Sequence, residues 1–183
     1  MKTFFTSDTH FYHANIIKYC NRPFQSVEEM NKALIDNWNS VVSNEDTVYH
    51  LGDFCWKGVQ SWQEIREQLN GKIILIAGNH DEPFLSKKSV LSLFEKVSFQ
   101  QVIYIDNIRI ILNHYPFLCY KGQNTPDNIQ LYGHVHSTPN TEIKSIDELR
   151  CISNCFPSQY DVGVDNNEFR PISWEEIKLK LKL

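Results

Sequence analysis

The chain has 183 residues, of which 42% are hydrophobic and 22% charged, and a formal net charge of -4. That length and balance fit a single globular domain with its own core and argue against a disordered chain. The negative charge argues against a protein that coats nucleic acid through a basic face, although a bound cation can still make a local pocket complementary to phosphate.

In chain order, the first strand expected is Lys2–Thr6, which runs into Ser7-Asp8-Thr9-His10. A helix follows from Ser26 to Val42, with Ser26 as N-cap and Glu29 three residues on. A second strand, Thr47–Leu51, runs into Gly52-Asp53. A helix over Val59–Leu69 ends before Asn70-Gly71, a C-cap pattern. The strand Lys72–Ala77 runs into Gly78-Asn79-His80-Asp81. Gln101–Ile105 and Ile108–Leu112 read as a hairpin about Asp106-Asn107, the second strand leading to Asn113-His114. The strand Ile129–Tyr132 leads to Gly133-His134-Val135-His136. From about Ser173 the sequence SWEEIKLKLKL places acids first and lysines last, as a helix dipole favours. This order gives an α/β fold with two sheets.

The N-terminus MKTFFTSDTH turns polar too soon for a secretory signal, and no apolar run of about 18 residues occurs, so a cytoplasmic protein without a membrane span is expected. Five cysteines, Cys20, Cys55, Cys119, Cys151 and Cys155, show no CxxC spacing and are odd in number. They read as small buried thiols in a reducing compartment rather than a disulfide framework.

Five strands thus end in polar motifs, and in α/β folds ligands gather outside the carboxyl ends of strands. Five of the seven histidines fall within those motifs. His134 and His136 stand at i and i+2, which in an extended segment puts both imidazoles on one side. The pooled donors are Asp8, Asp53, Asn79, His10, His114, His134 and His136. Seven N/O donors exceed one tetrahedral zinc shell and suit two neighbouring ions sharing a carboxylate. Mixed imidazole and carboxylate ligands favour Mn, Fe, Zn or Ni over Mg or Ca, with Mn or Fe expected first. Two such ions, less two carboxylates and a hydroxide, leave a positive pocket that complements a phosphate ester.

The series Asp8-x-His10, Gly52-Asp53, Gly78-Asn79-His80-Asp81, His114 and Gly133-His134-x-His136 resembles that of calcineurin-like metallophosphoesterases. The tail, Asp161-Val162-Gly163-Val164-Asp165 and then Pro171 and Ser173-Trp174-Glu175-Glu176, is similar to the closing strand and helix of small bacterial and phage members. The resemblance implies a four-layer αββα sandwich of two mixed sheets flanked by helices. It implies that Asp8, His10 and His136 hold one metal, Asn79, His114 and His134 the other, and that Asp53 bridges them. His80 would contact the phosphate and protonate the leaving oxygen, a role that suits an imidazole, with Asp81 orienting it from behind. The implied enzyme hydrolyses a P–O bond, as a phosphodiesterase or phosphatase, with a hydroxide activated by two metals.

The sequence departs from the family after Asp53. Many members continue Gly-Asp-x-x-Asp-Arg, whereas here Phe54-Cys55-Trp56-Lys57 follows, with Lys57 where protein phosphatases carry an arginine. Lysine is a point charge and not a bidentate fork, which weakens a protein-phosphatase reading. Trp56 is expected to pack under its loop, with a stacking contact as the alternative. His13 is expected on the substrate side, and His50 is expected to pack or to support a ligand from behind, neither being a metal donor. A nuclease for DNA or RNA ends ranks second, because Lys57, Lys87, Lys88, Lys121 and Arg170 are scattered. A non-catalytic binding module would be expected to have lost ligands, and metal storage would leave His80 without a task.

Overall fold

In the computed structural model, which describes residues 1–137 and 157–183, the chain forms two sheets. The first half alternates strand and helix: β1 (Thr3–Thr6), α1 (Ala14–Tyr19), α2 (Val27–Val41), β2 (Thr47–His50), α3 (Val59–Arg66), β3 (Lys72–Ile76), α4 (Lys88–Leu91) and β4 (Lys96–Ser98). The second half is strand-rich: β5 (Gln100–Ile105), β6 (Ile108–Asn113), β7 (Asn128–Tyr132), β8 (Gln159–Asp161), β9 (Ile172–Ser173) and finally α5 (Trp174–Leu181).

The first sheet has the order β4-β3-β2-β1-β9, with β1 to β4 mutually parallel and β9 antiparallel to β1. Parallel neighbours need crossover connections, and the helices α1 to α4 lie in those crossovers. The second sheet has the order β5-β6-β7-β8, antiparallel at the β5–β6 hairpin and parallel thereafter. Both sheets are therefore mixed and flanked by helices in an α/β fold.

Alternation along β1 shows how the layers are held. Phe4 and Phe5 point to opposite faces of the sheet and enter two different cores. Phe4 joins Val48, Ile73 and Leu75 against Met30, Leu34 and Trp38 of α2 and Trp62 and Ile65 of α3. Phe5 joins Leu51 and Ile76 against Ile110, Leu112, Ile129 and Leu131 of the second sheet, closed by Trp174 and Ile177 of α5. Each fully buried Leu, Ile or Phe side chain contributes roughly 1.5–3 kcal/mol, and truncating Trp38 to alanine would cost about 3–5 kcal/mol.

Helix ends follow local chemistry. Ser26 Oγ accepts the Glu29 N–H at 3.1 Å to start α2, and α5 opens with a full capping box between Ser173 and Glu176. α3 stops at Arg66, short of the expected Leu69, because the Arg66 guanidinium donates to the carbonyls of Leu69 and Gly71 and turns the chain into β3. Of the cysteines, Cys55 is buried as expected, Cys20 is half-buried and Cys119 is exposed on the loop after β6. Cys151 and Cys155 lie outside the described residues. No described helix is long and apolar enough to cross a membrane.

Candidate metal centre

The C-terminal ends of β1, β2, β3, β6 and β7 deliver all the polar motifs to one rim. The loops there are not extended. Asp8 (φ 58°), His10 (φ 49°), Asp53 (φ 57°), His134 (φ 70°) and His136 (φ 49°) all occupy the left-handed region. This corrects the expectation of an extended His134–His136 segment. Both imidazoles do face the site, but backbone kinks aim them there. Asp and His are among the residues that tolerate this conformation best.

The kinks are fixed by pairing one loop with another. The Asp8 N–H donates to the Gly52 carbonyl at 2.9 Å, His10 N–H to Asp53 at 2.9 Å and Phe11 N–H to Phe54 at 3.0 Å. Gly52 has φ 98°, and a Cβ there would stand 2.5 Å from the Gly78 nitrogen and 2.7 Å from His114 Nδ1. Gly133 lies so close to Ser7 Oγ and Asp8 Oδ2 that a Cβ could not be placed. Small residues at these positions let the loops of the two sheets meet.

Two donor clusters result. In one, His10 Nε2 and His136 Nε2 are 3.3 Å apart and lie 3.9 and 3.8 Å from Asp8 Oδ1. In the other, His114 Nε2 lies 3.1 Å from Asn79 Oδ1, 3.2 Å from His134 Nδ1 and 3.5 Å from Asp53 Oδ2. Asp53 Oδ2 is also 3.5 Å from His10 Nε2, so this one oxygen faces both clusters. Asp8 Oδ1 is buried and has no hydrogen-bond partner among the described residues.

The electrostatics call for cations. His114 donates its Nδ1–H to the Leu51 carbonyl at 2.7 Å, which turns Nε2 toward Asn79, His134 and Asp53. Burial opposes a charge on His114, but Asp53 and Asp8 outweigh it and push its pKa up to about 9. At His136 burial is likewise outweighed by Asp8 and Asp165, and its pKa is pushed up to about 11. Burial holds His10 and His134 below the usual imidazole value. Burial would raise the Asp53 carboxyl, but His114 and His10 hold it well below the usual range. An ionised Asp53 and carboxylates that favour positive charge on His114 and His136, beside a carboxylate oxygen with no hydrogen-bond partner among the described residues, fit divalent ions.

The sequence matches the calcineurin-like phosphoesterases over residues 1–168. The chain belongs to that family. It is 38% identical over 178 residues to an uncharacterized protein of Methanocaldococcus jannaschii, covering 96% of this chain and 89% of that protein. It is 30% identical over 167 residues to the Gene 66 protein of Mycobacterium phage L5, covering 74% of this chain and 77% of the phage protein. A solved structure from Aquifex aeolicus, of a protein of unknown function, superposes with a TM-score of 0.71 at 30% identity, covering 97% of this chain and 98% of that one. The chain is therefore a metal-dependent phosphoesterase, with groups of side chains able to hold metal.

Supporting residues complete the phosphoesterase site, and several were not singled out from sequence. His136 Nδ1 bonds Asp165 Oδ2 at 2.8 Å, and Asp165 takes a two-pronged contact from Arg22 at 2.8 Å on each oxygen. Arg22 is buried and also donates to the carbonyls of Asp8 at 2.6 Å and Thr9 at 3.1 Å. Asp161, fully buried, accepts from the Ser137 hydroxyl and from the Gly163 N–H at 2.7 Å, tying the loop after β7 to the loop after β8. A signal existed for the acids, since Asp161 and Asp165 flank an apolar Val-Gly-Val. Arg22 gave none.

Asp81 is corrected. Its carboxylate accepts N–H bonds from Asp53 at 2.8 Å, Phe54 at 2.9 Å and Gly78 at 2.9 Å, so it grips the backbone under Asp53 and does not orient the His80 ring. Burial pushes its pKa up to about 7, against those three donors. His80 lies at the mouth, 38% exposed, with Nε2 3.9 Å from Asp53 Oδ2 and its backbone N–H on Asp53 Oδ1 at 3.0 Å. His50 is buried, accepts from Gly52 N–H at 3.2 Å and meets Thr9 Oγ1 at 3.0 Å, so it bonds residues beside the donors and none of the donors themselves. Lys57 sits 5.0 Å over the Tyr12 ring and not on the site.

Proposed function

We propose that this phosphoesterase hydrolyses small phosphodiesters at a centre of two divalent transition ions. Asp8, His10 and His136 would hold one ion, Asn79, His114 and His134 the other, with Asp53 shared between them. What supports this reading most directly is the oxygen of Asp53 set 3.5 Å from a nitrogen of each cluster, beside the unpartnered Asp8 Oδ1. The mixed imidazole, carboxylate and amide donor set suits a divalent transition ion, with Mn or Fe proposed first and Zn or Ni also accommodated. Bound ions would supply positive charge for the phosphate oxygens and acidify water at the site.

The protein's own part is to place charge and a proton. His80, at the mouth, would contact the phosphate and protonate the leaving oxygen. Its backbone bond to Asp53 holds it beside the shared carboxylate whatever its side chain does. Asp81 and the Asp165–Arg22 pair would keep Asp53 and His136 in position. A phosphoprotein substrate is disfavoured, since Lys57 is turned onto Tyr12 where a phosphatase would present arginine. A purely binding module is disfavoured because all seven donors converge.

The test is His80→Ala. Metal content should stay at the wild-type level while kcat falls by roughly 10²–10⁴, the range for a lost general acid. The loss should be smaller for nitrophenyl esters, whose leaving group needs little protonation, than for alkyl esters. Loss of metal, or an equal loss for both ester classes, would show His80 to be a ligand or a phosphate clamp.

A further inference from the structure

Trp56 does not pack under its loop. Phe54 and Cys55 do that, at 0% and 2% exposure, while Trp56 is 45% exposed. Its backbone is nonetheless fixed, since the Trp56 N–H donates to the Phe11 carbonyl at 2.9 Å and Phe11 bridges Cys55. The indole is held by two histidines at near-perpendicular or steep angles. The His13 ring centroid is 4.0 Å away at 81°, and the His80 ring is 4.7 Å away at 60°. His13 in turn is pinned at the start of α1, where its Nδ1 accepts the Ile16 N–H at 2.9 Å. An exposed tryptophan fixed by its backbone and by two neighbours loses little freedom when something covers it. That is the condition for a productive stacking contact.

We propose that Trp56 is the platform for the leaving group, and that this group is a nucleoside whose base stacks on the exposed indole. The inference rests on the reading of His80 as the acid. The oxygen that His80 protonates carries the departing group, so that group leaves past the ring 4.7 Å from His80. Its chemistry follows from the surroundings. The platform is a flat π surface, which every base can cover. The adjoining cation, Lys57, is turned onto Tyr12, whose hydroxyl donates to Glu64 at 3.2 Å. With a net charge of -4, the protein offers a polyanionic strand little attraction. A nucleotide diester fits better than a nucleic acid chain. Trp56 thus acts as a specificity residue of the site.

The experiment separates this proposal from the phosphoesterase reading beneath it. Trp38, Trp62 and Trp174 are buried, so the exposed Trp56 supplies the long-wavelength part of the fluorescence. Adenosine monophosphate should quench that part in the metal-loaded enzyme, and ribose 5-phosphate should not. By calorimetry the nucleotide should bind tighter than the sugar phosphate by roughly ten- to a hundredfold, the range that one stacked base supplies. Trp56→Leu should abolish the difference and Trp56→Tyr should keep most of it. The same ratio should fall in kcat/KM for a nucleoside methyl phosphate against glycerol methyl phosphate. Equal binding of the two ligands by the wild type, or a preference kept in Trp56→Leu, overturns the proposal even if both esters are cleaved. Preferred binding and cleavage of an oligonucleotide end over the mononucleotide diester overturns the choice of a small substrate. Hydrolysis of no ester with any metal overturns the underlying reading, while the binding comparison still judges the platform.

Discussion

Asp165→Asn tests whether a buried ion pair outside the donor set holds the metal centre in shape. Arg22 and Asp165 side chains are 0% and 3% exposed, and the guanidinium reaches both carboxylate oxygens at 2.8 Å. The substitution keeps the size of the side chain but leaves the Arg22 charge buried without a counter-ion. Breaking such a pair from one side costs about 3–5 kcal/mol. Arg22 keeps its bonds to the Asp8 and Thr9 carbonyls, which places the loss near the lower end. For a chain of this size a loss of about 3 kcal/mol lowers Tm by roughly 6–12 °C. The second effect is on metal. His136 Nδ1 loses a carboxylate partner that fixes its tautomer, and removing such a partner lowers metal affinity about 10–100-fold. Urea unfolding of metal-free protein reads the first effect and a manganese titration reads the second. Adding Arg22→Met should recover part of the stability but none of the affinity. If Asp165→Asn unfolds within about 0.5 kcal/mol of wild type and binds manganese equally well, the network carries no such load.

Two further predictions follow from the same geometry. Protein loaded with manganese and freed of excess should hold about two equivalents, and Asp53→Ala should lose metal from both clusters; a single equivalent, unchanged by that substitution, would falsify the shared-carboxylate arrangement. Glu176 caps α5: burial would raise its pKa, but Arg170 and Ser173 outweigh burial and lower it from 4.5 to about 2, so its stabilisation is full above the unfolded value and is lost as pH falls toward the folded one. Its side chain is 36% exposed, so Glu176→Gln should cost only about 1–2 kcal/mol near neutral pH after screening, and urea midpoints taken down to about pH 2 should converge.

Legibility in the sequence followed the range of the interactions. Strands of four to six residues with apolar runs and a polar terminus are readable, and their endings contain the side chains that meet at the rim, because both signals are local. The edge strands β4 and β9, with three and two residues, are too short to show a period, and the four-residue α4 has no full helical face. β4 exists because β3 offers it hydrogen bonds, from Ile74 paired with Lys96 to Ile76 paired with Ser98. The Arg22–Asp165 pair spans 143 residues, and nothing near Arg22 announces its partner. Asp81 stands out in the motif, but its neighbours there are backbone N–H groups and not the His80 ring. The turn after Gly78 points its carboxylate inward at three N–H groups, and a motif does not show the direction of a side chain. Trp56 was misplaced for the same reason, because Phe54 had already filled the space beneath the loop.

The same limit applies to the backbone of the centre, and it explains how the fold supports it. Five residues in the donor set sit at positive φ, each at a cost of about 1–2 kcal/mol for an ordinary side chain and less for Asp or His. Even discounted for Asp and His, five such positions together cost an appreciable part of the net stability of a domain. It persists only because the surroundings over-determine it. Asp8 and His10 cannot relax without breaking their bonds to Gly52 and Asp53, and Asp53 cannot relax without freeing the Asp81 carboxylate in a buried site. On the other side, the His134 N–H is held by Asp8 Oδ2 at 2.9 Å, so the loops of the two sheets restrain each other. The other oxygen of Asp8 is left with no hydrogen-bond partner among the described residues. A framework this constrained cannot shift to satisfy that oxygen with its own described groups, which leaves it directed at the imidazoles of His10 and His136, 3.9 and 3.8 Å away.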